Sequence, residues 1–283
     1  MTDHRFLFVG GLHRSGTTML ARLLAEHPQV SGFADTGVPA DEGQHLQDVY
    51  PVISPGRQAG RFARQPGAHL TESSPLVSDE SRERLLASWM PHWDAGRQVL
   101  IEKSPPNMLM TRFLQALFPV SSRFVLVVRH PVAVACATQK WSATRPHELL
   151  HHWATAYATL AGDLPHLEHA IVVRYEDLVA GPDRALARVF ALAGLADHAP
   201  GRAVETGRNA DNFAADRVTR GDVNGEYFAS WQARKRSLPK RIYLDLAERR
   251  YARAAAAWGY DLRGLGQRPA ADPLLARLIG EAP

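Results

Sequence analysis

The stretch GLHRSGTTML, Gly11 to Leu20, fits a phosphate-binding loop at every key position but one. The general pattern is G-x-x-x-x-G-K-[ST]. Gly11 and Gly16 hold its two glycines, Thr18 holds its hydroxyl, and Thr17 stands where the lysine belongs. Arg14 adds a cation inside the loop. An apolar run, Phe6 to Val9, precedes the loop, and Met19, Leu20, Leu23 and Leu24 follow it at helical spacing. Strand, glycine loop and helix in this order aim backbone N–H groups and the positive end of a helix dipole at an anion.

The missing lysine narrows the choice of anion. In nucleoside-triphosphate enzymes that lysine reaches the β- and γ-phosphates while the Ser/Thr hydroxyl holds Mg²⁺. A loop without it suits a shorter anionic group. The run IVVRYED, Ile171 to Asp177, is no clear metal-binding strand, because Arg174 and Tyr175 interrupt it before the acids.

Working outward, three more apolar runs read as strands: Gln98 to Ile101, Phe124 to Val128 and Ile171 to Val173. They are continuous rather than alternating, as strands buried on both faces are. Helical patterns lie between them over Thr17–Glu26, Asn107–Phe118, His147–Leu160 and Pro182–Leu195, with a last one from Tyr243 to Trp258. This alternation predicts a single α/β domain, a parallel sheet of the phosphate-loop type with helices on both faces. The expected boundaries are a domain over residues 1–265 and a C-terminal tail over 266–283, with a loose end after Asp261. Residues 51–75, rich in Pro, Gly and Ser, are expected to form a surface excursion. DEGQHLQD, Asp41 to Asp48, is expected to start a helix.

Bulk properties exclude several classes. The 283 residues are 45% hydrophobic and 22% charged, ordinary for a globular enzyme. A formal charge of +4 suits an anionic small ligand and falls short of a nucleic-acid-binding face. Cys136 is the only cysteine, so neither an internal disulfide nor a cysteine-rich metal site is available. No run reaches the roughly 20 apolar residues of a membrane span. The reading is a soluble protein of a reducing, bacterial-type cytoplasm. His147 and His151 have i, i+4 spacing but no zinc motif around them, so no metal is expected.

Four motifs together resemble the sulfotransferase superfamily, in its tyrosylprotein-sulfotransferase-like branch and bacterial relatives. They are RSGTT (Arg14 to Thr18), EKSP (Glu102 to Pro105), VVRHP (Val127 to Pro131) and VRYEDL (Val173 to Leu178), and the similarity runs from Phe6 to the GYD at Gly259–Asp261. The resemblance implies 3′-phosphoadenosine-5′-phosphosulfate (PAPS) as sulfuryl donor and its desulfated form, PAP, as product, without a metal. It implies that Arg14, Ser15, Gly16, Thr17 and Thr18 hold the 5′-phosphosulfate and that Arg129 holds the 3′-phosphate. An arginine at a strand's carboxyl end also suits phosphate on general grounds. The family's usual serine eight positions after that arginine is Ala137 here, with Thr138 beside it as a substitute. Tyr175 matches a tyrosine near the adenosine, and is equally readable as a core residue. Arg217 and Arg220 are candidates for extra phosphate contacts, or else solvated charges.

For chemistry, Lys103 and Arg14 are expected at the leaving oxygen, and a side-chain base is expected to take the acceptor's proton. Asp35 is the first candidate base, by its position opposite the family's glutamate; Glu42 is second and His45 third. The acceptor is expected to be a hydroxyl of a small molecule, a carbohydrate or a lipid. Two other readings stay open: a small-molecule kinase using ATP and Mg²⁺, and a nucleotide-binding module without turnover, suggested by Ala137 and the shortened acid. Oligomeric state is not readable.

Overall fold

The computed structural model describes residues 4–53, 60–199, 224–265 and 271–280. Its centre is a five-stranded parallel sheet in the order β2-β3-β1-β4-β5. The strands are β1 (Arg5–Gly11), β2 (Val30–Gly32), β3 (Val99–Lys103), β4 (Ser122–Val128) and β5 (Ala170–Arg174). The continuous apolar runs are buried on both faces, as read. Phe6, Phe8, Leu100, Phe124, Leu126 and Val172 join one core, while Leu7, Val9, Val99, Ile101, Val125 and Val173 join the other. Helices cover both. Helix α1 (Thr17–Ala25), α6 (Tyr175–Ala180) and α7 (Pro182–Leu192) supply Leu20, Leu178 and Phe190 to the second core. Helix α2 (Asp79–Trp89), α3 (Thr111–Leu117), α4 (Pro131–Thr138) and α5 (Pro146–Asp163) supply Trp89, Phe113, Val132 and Trp153 to the first. Helix α8 (Gly225–Arg234) and α9 (Leu238–Ala257) close that side.

Four departures from the sequence reading have local causes. Strand β2 has three residues, too few to make an apolar run, and pairs with β3 through Val30 and Val99. The helix expected from Asn107 begins at Thr111, after a 3-10 turn over Pro105–Leu109. There the Asn107 amide donates to Val9 O at 3.2 Å and to the Glu102 carboxylate, committing it to the strand ends. The segment from Asp41 forms 3-10 turns at Pro39–Asp41 and Gly43–His45 rather than a helix. Buried Gln44 and Gln47 take over the backbone partners: Gln44 Oε1 accepts from Ile53 N at 3.0 Å, and Gln47 Oε1 accepts from Val49 N at 2.7 Å. These bonds satisfy polar groups that a buried loop would otherwise leave unpaired. Last, the expected loose end is partly ordered. Leu262 is buried, and α10 (Pro273–Ile279) packs beside β5, its final carbonyls at Leu278 and Ile279 each accepting from Arg188 at 2.6 Å.

The excursion after Pro51 is pinned inward at Phe62, which is fully buried against the ring of His152 on α5, 4.7 Å between centroids. Burial pushes the His152 imidazole down to about 3, and its Nε2 has no hydrogen-bond partner. In the unfolded chain the same ring takes a proton near 6.5. Its contribution to stability is therefore complete above that pH and is lost as pH falls from 6.5 toward 3, at ~1.4 kcal/mol per unit. His152→Phe keeps the aromatic contact and removes the orphaned nitrogen. Urea unfolding between about pH 7 and 5 is expected to show a shallower loss of stability for this variant than for the parent. Parallel pH profiles would show that His152 is not held neutral.

Candidate active site at the carboxyl edge of the sheet

Strand β1 lies between β3 and β4, so the chain crosses over it in passing from one to the other. Open parallel sheets bind ligands at such a reversal, beyond the carboxyl ends of the strands. The register sets Val9 beside Lys103 on one flank and Gly11 beside Val127 on the other. The glycine loop leaves β1 here, between Lys103 at the end of β3 and Arg129 just past β4.

The loop is shaped to approach its neighbours closely. Gly16 has φ of 103°, and a Cβ there would collide with the Tyr175 ring. Arg14 takes φ of 70°, a left-handed conformation that costs a side-chain-bearing residue about 1–3 kcal/mol and clusters at functional sites. Ser15 is buried, its Oγ donating to Leu12 O at 2.6 Å. Helix α1 starts at Thr17 with no side-chain cap and no acid in its first turn. Its N-terminal N–H groups are thus left for an anion, and Thr17 and Thr18 sit in that turn.

On the β4 side, Arg129 is buried and held in place. Its Nη1 donates to Arg14 O at 3.0 Å and its Nε to Asn224 Oδ1 at 3.1 Å. The guanidinium carbon stands 4.0 Å from the Tyr175 ring centroid and 5.4 Å from that of Tyr227. Lys140 lies over the same Tyr227 ring at 5.0 Å, so a second cation shares this end. Glu176 ties the surroundings together: it accepts from His130 N at 3.0 Å, Asn224 Nδ2 at 2.6 Å and Tyr260 Oη at 2.8 Å. Trp153 and Tyr157 of α5 donate to Arg129 O and Val127 O, fixing the strand end. Thr138 is buried at the end of α4, close to Gly60, and Ala137 is buried beside it.

On the β3 side, Lys103 is 5% exposed. Its Nζ donates to Ala40 O at 2.7 Å and to Glu42 Oε1 at 3.4 Å. Burial lowers its pKa, and the Glu42 and Glu102 carboxylates oppose that shift. Glu42 is itself buried, with Oε2 accepting from Gln44 Nε2 at 2.6 Å and lying 3.7 Å from His45 Nε2. Burial lowers the pKa of His45 as well, against the pull of Glu42. Glu102 accepts from Ser104 Oγ at 2.5 Å and from Asn107, and its burial pushes it up to about 7. Ser104 Oγ also accepts from Gln44 N at 3.0 Å, so Glu102 braces the turn that carries Glu42. Gly43 allows this approach: a Cβ there would lie 2.5 Å from Glu102 Oε1. His13, in the loop, has neither ring nitrogen hydrogen-bonded, and burial pushes it down to about 4.

The three acid–base candidates are therefore not equivalent. Glu42 and His45 stand at Lys103. Asp35 is exposed, with φ of 53°, and the left-handed residues Ala40 and Asp41 turn the chain between it and Glu42. Arg217 and Arg220 lie outside the described residues. Sequence reasoning gave no role to Glu102, Glu176, Lys140 or His13. The two glutamates lie inside quoted motifs, which was their available signal; nothing in the sequence links Lys140 to Arg129.

Residues 7–199 match the family model described as the sulfotransferase family. The nodulation protein NoeE of Sinorhizobium fredii is 29% identical over 218 residues, covering 66% of this chain and 49% of that protein. Protein-tyrosine sulfotransferase 2 of Gallus gallus is 23% identical over 200 residues, covering 67% and 51%. The chain thus spans about half the length of these relatives. Among solved structures, the sulfotransferase domain from the curacin biosynthetic pathway aligns over 81% of this chain and 90% of that one, at 14% identity and a TM-score of 0.48. Mouse sulfotransferase SULT7A1, complexed with PAP, aligns over 88% and 85%, at 13% identity and a TM-score of 0.46. By the match over residues 7–199, the chain belongs to the sulfotransferase family.

Proposed function

We propose that the protein transfers a sulfuryl group from PAPS to the hydroxyl of a small-molecule, carbohydrate or lipid acceptor. One observation carries this reading: a lysine-free, uncapped anion loop lies between a buried arginine on one flank and a buried lysine–glutamate pair on the other. The residues fit the donor. The first turn of α1 carries no acid to repel the 5′-phosphosulfate, and Arg129, with Lys140 near it, supplies positive charge for the 3′-phosphate. Lys140 makes up for the contact that Ala137 removes. Arginine suits this place because its planar fork grips phosphate bidentately.

In the reaction, a bond forms between acceptor oxygen and sulfur while the bond from sulfur to the 5′-phosphate oxygen breaks. Glu42 takes the acceptor's proton. Lys103 holds Glu42 in position and, with Arg14 and the loop N–H groups, faces the charge that develops on the departing oxygen. Fixed donors of this kind contribute about 10²–10³ in rate each. Asp35, first by alignment, is replaced by Glu42 in this scheme because it points to solvent.

Two measurements test the proposal. Thermal unfolding with PAP and no Mg²⁺ is expected to show clear stabilisation, larger than with Mg-ATP at equal concentration; a larger Mg-ATP shift would favour phosphoryl transfer. With PAPS and a turned-over acceptor, Glu42→Gln is expected to lower the rate by at least about 10² while keeping the PAP-induced shift, and Asp35→Ala to stay within about twofold of the parent. The opposite pattern would return the proton-accepting role to Asp35.

A further inference from the structure

We propose that the outer face of α9 docks onto an anionic lipid surface. Among the described residues, seven large hydrophobic side chains are exposed, and four of them fall in one short stretch of this helix. Leu238, Ile242 and Leu246 are 58%, 52% and 59% exposed, and Tyr243 beside them is 37% exposed. The first three have i, i+4, i+8 spacing, so they form one stripe about 12 Å long along the helix. The opposite side of α9 is already used, with Leu244, Ala247 and Ala255 buried in the core. Single exposed apolar residues need no explanation, but a contiguous stripe does.

The rim of the stripe states the partner's charge. Arg236, Lys240, Arg241, Arg249, Arg250 and Arg253 are all exposed, and no ion pair among the described residues involves any of them. The acid on this face, Asp245, is held by Lys235 at 2.9 Å. A partner must therefore be anionic at its surface and apolar just beneath. Anionic lipid offers both layers, a negatively charged headgroup plane over an apolar interior. A second copy of the chain would bring the same cations face to face. A specific protein interface needs about 800 Å² per partner, more than a stripe two turns long supplies. Nucleic acid would leave the apolar stripe uncovered.

The position of the face gives docking a consequence. Tyr243 contacts His147 at the start of α5, the neighbouring Glu148 pairs with Arg61 at 3.7 Å, and Phe62 next in the chain meets the His13 ring at 5.4 Å. The face is thus joined to the glycine loop through a chain of side-chain contacts, along which docking can act. None of this depends on sulfuryl transfer.

The test is co-sedimentation of the full chain with vesicles of phosphatidylcholine alone, and of phosphatidylcholine with about 30% phosphatidylglycerol, at low and high salt. The pelleted fraction is expected to be at least about fivefold larger on the anionic vesicles and to fall with salt. The triple variant L238S/I242S/L246S is expected to lose about tenfold in apparent affinity, and K240E/R241E to lose the preference for anionic lipid. All five side chains are exposed, so circular-dichroism melting is expected to be unchanged. Equal recovery on both vesicle types, no pelleting of the parent, or a triple variant that pellets like the parent would each overturn the proposal. So would a parent dimer that the triple variant turns into monomer, which would assign the face to a second copy.

Discussion

The Tyr175 ring rests against Gly16, where no side chain could fit, and the rest of the site depends on that contact. The other face of the relationship is Arg129, whose guanidinium stands 4.0 Å from the same ring and donates to the Arg14 carbonyl. Three strand ends are thereby coupled: the loop after β1, the arginine after β4 and the tyrosine after β5. A cation over an aromatic face is worth about 0.5–2 kcal/mol, more when dry. The neighbouring hydrogen bonds through Glu176 and Asn224 keep it from wandering. A loop of this kind binds an anion well only if its N–H groups are already aimed, and these contacts do the aiming.

The β3 side is organised differently, by backbone strain and buried charge. Ala40 and Asp41 take left-handed conformations in succession, and Asp41 is held there by Thr36, whose N and Oγ1 both donate to its carboxylate. This turn offers the Ala40 carbonyl and the Glu42 carboxylate to one lysine. Removing Lys103 from water is costly on its own, and the adjacent glutamates offset that cost. The pair holds a buried carboxylate oxygen beside Lys103 at the carboxyl edge of the sheet.

The parallel sheet and the loop were legible because both rest on local signals, continuous apolar runs and a glycine pattern between strand and helix. The strand-end positions of Arg129 and Lys103 were legible for the same reason, Arg129 following an apolar run directly and Lys103 following one with Glu102 between. The ranking of Asp35 ahead of Glu42 came from alignment with the family's glutamate, and alignment does not register four positive-φ residues in seven positions, Asp35, Gly37, Ala40 and Asp41. Gln44 and Gln47 fall in a segment expected to start a helix, yet their amides serve a buried loop. The helix pattern of α9 was visible only from Tyr243, whereas the helix starts at Leu238, and periodicity does not say which stripe faces the core: Leu238, Ile242 and Leu246 face outward.

The claim that unites the two flanks is that one doubly phosphorylated adenosine spans them. A crystal structure with PAP measures this directly. The 5′-phosphate is expected against the first turn of α1, within hydrogen-bond reach of the Arg14–Thr18 backbone, and the 3′-phosphate on the Arg129 guanidinium. Density that puts the two phosphates anywhere else, or leaves Arg129 without one, would contradict the account.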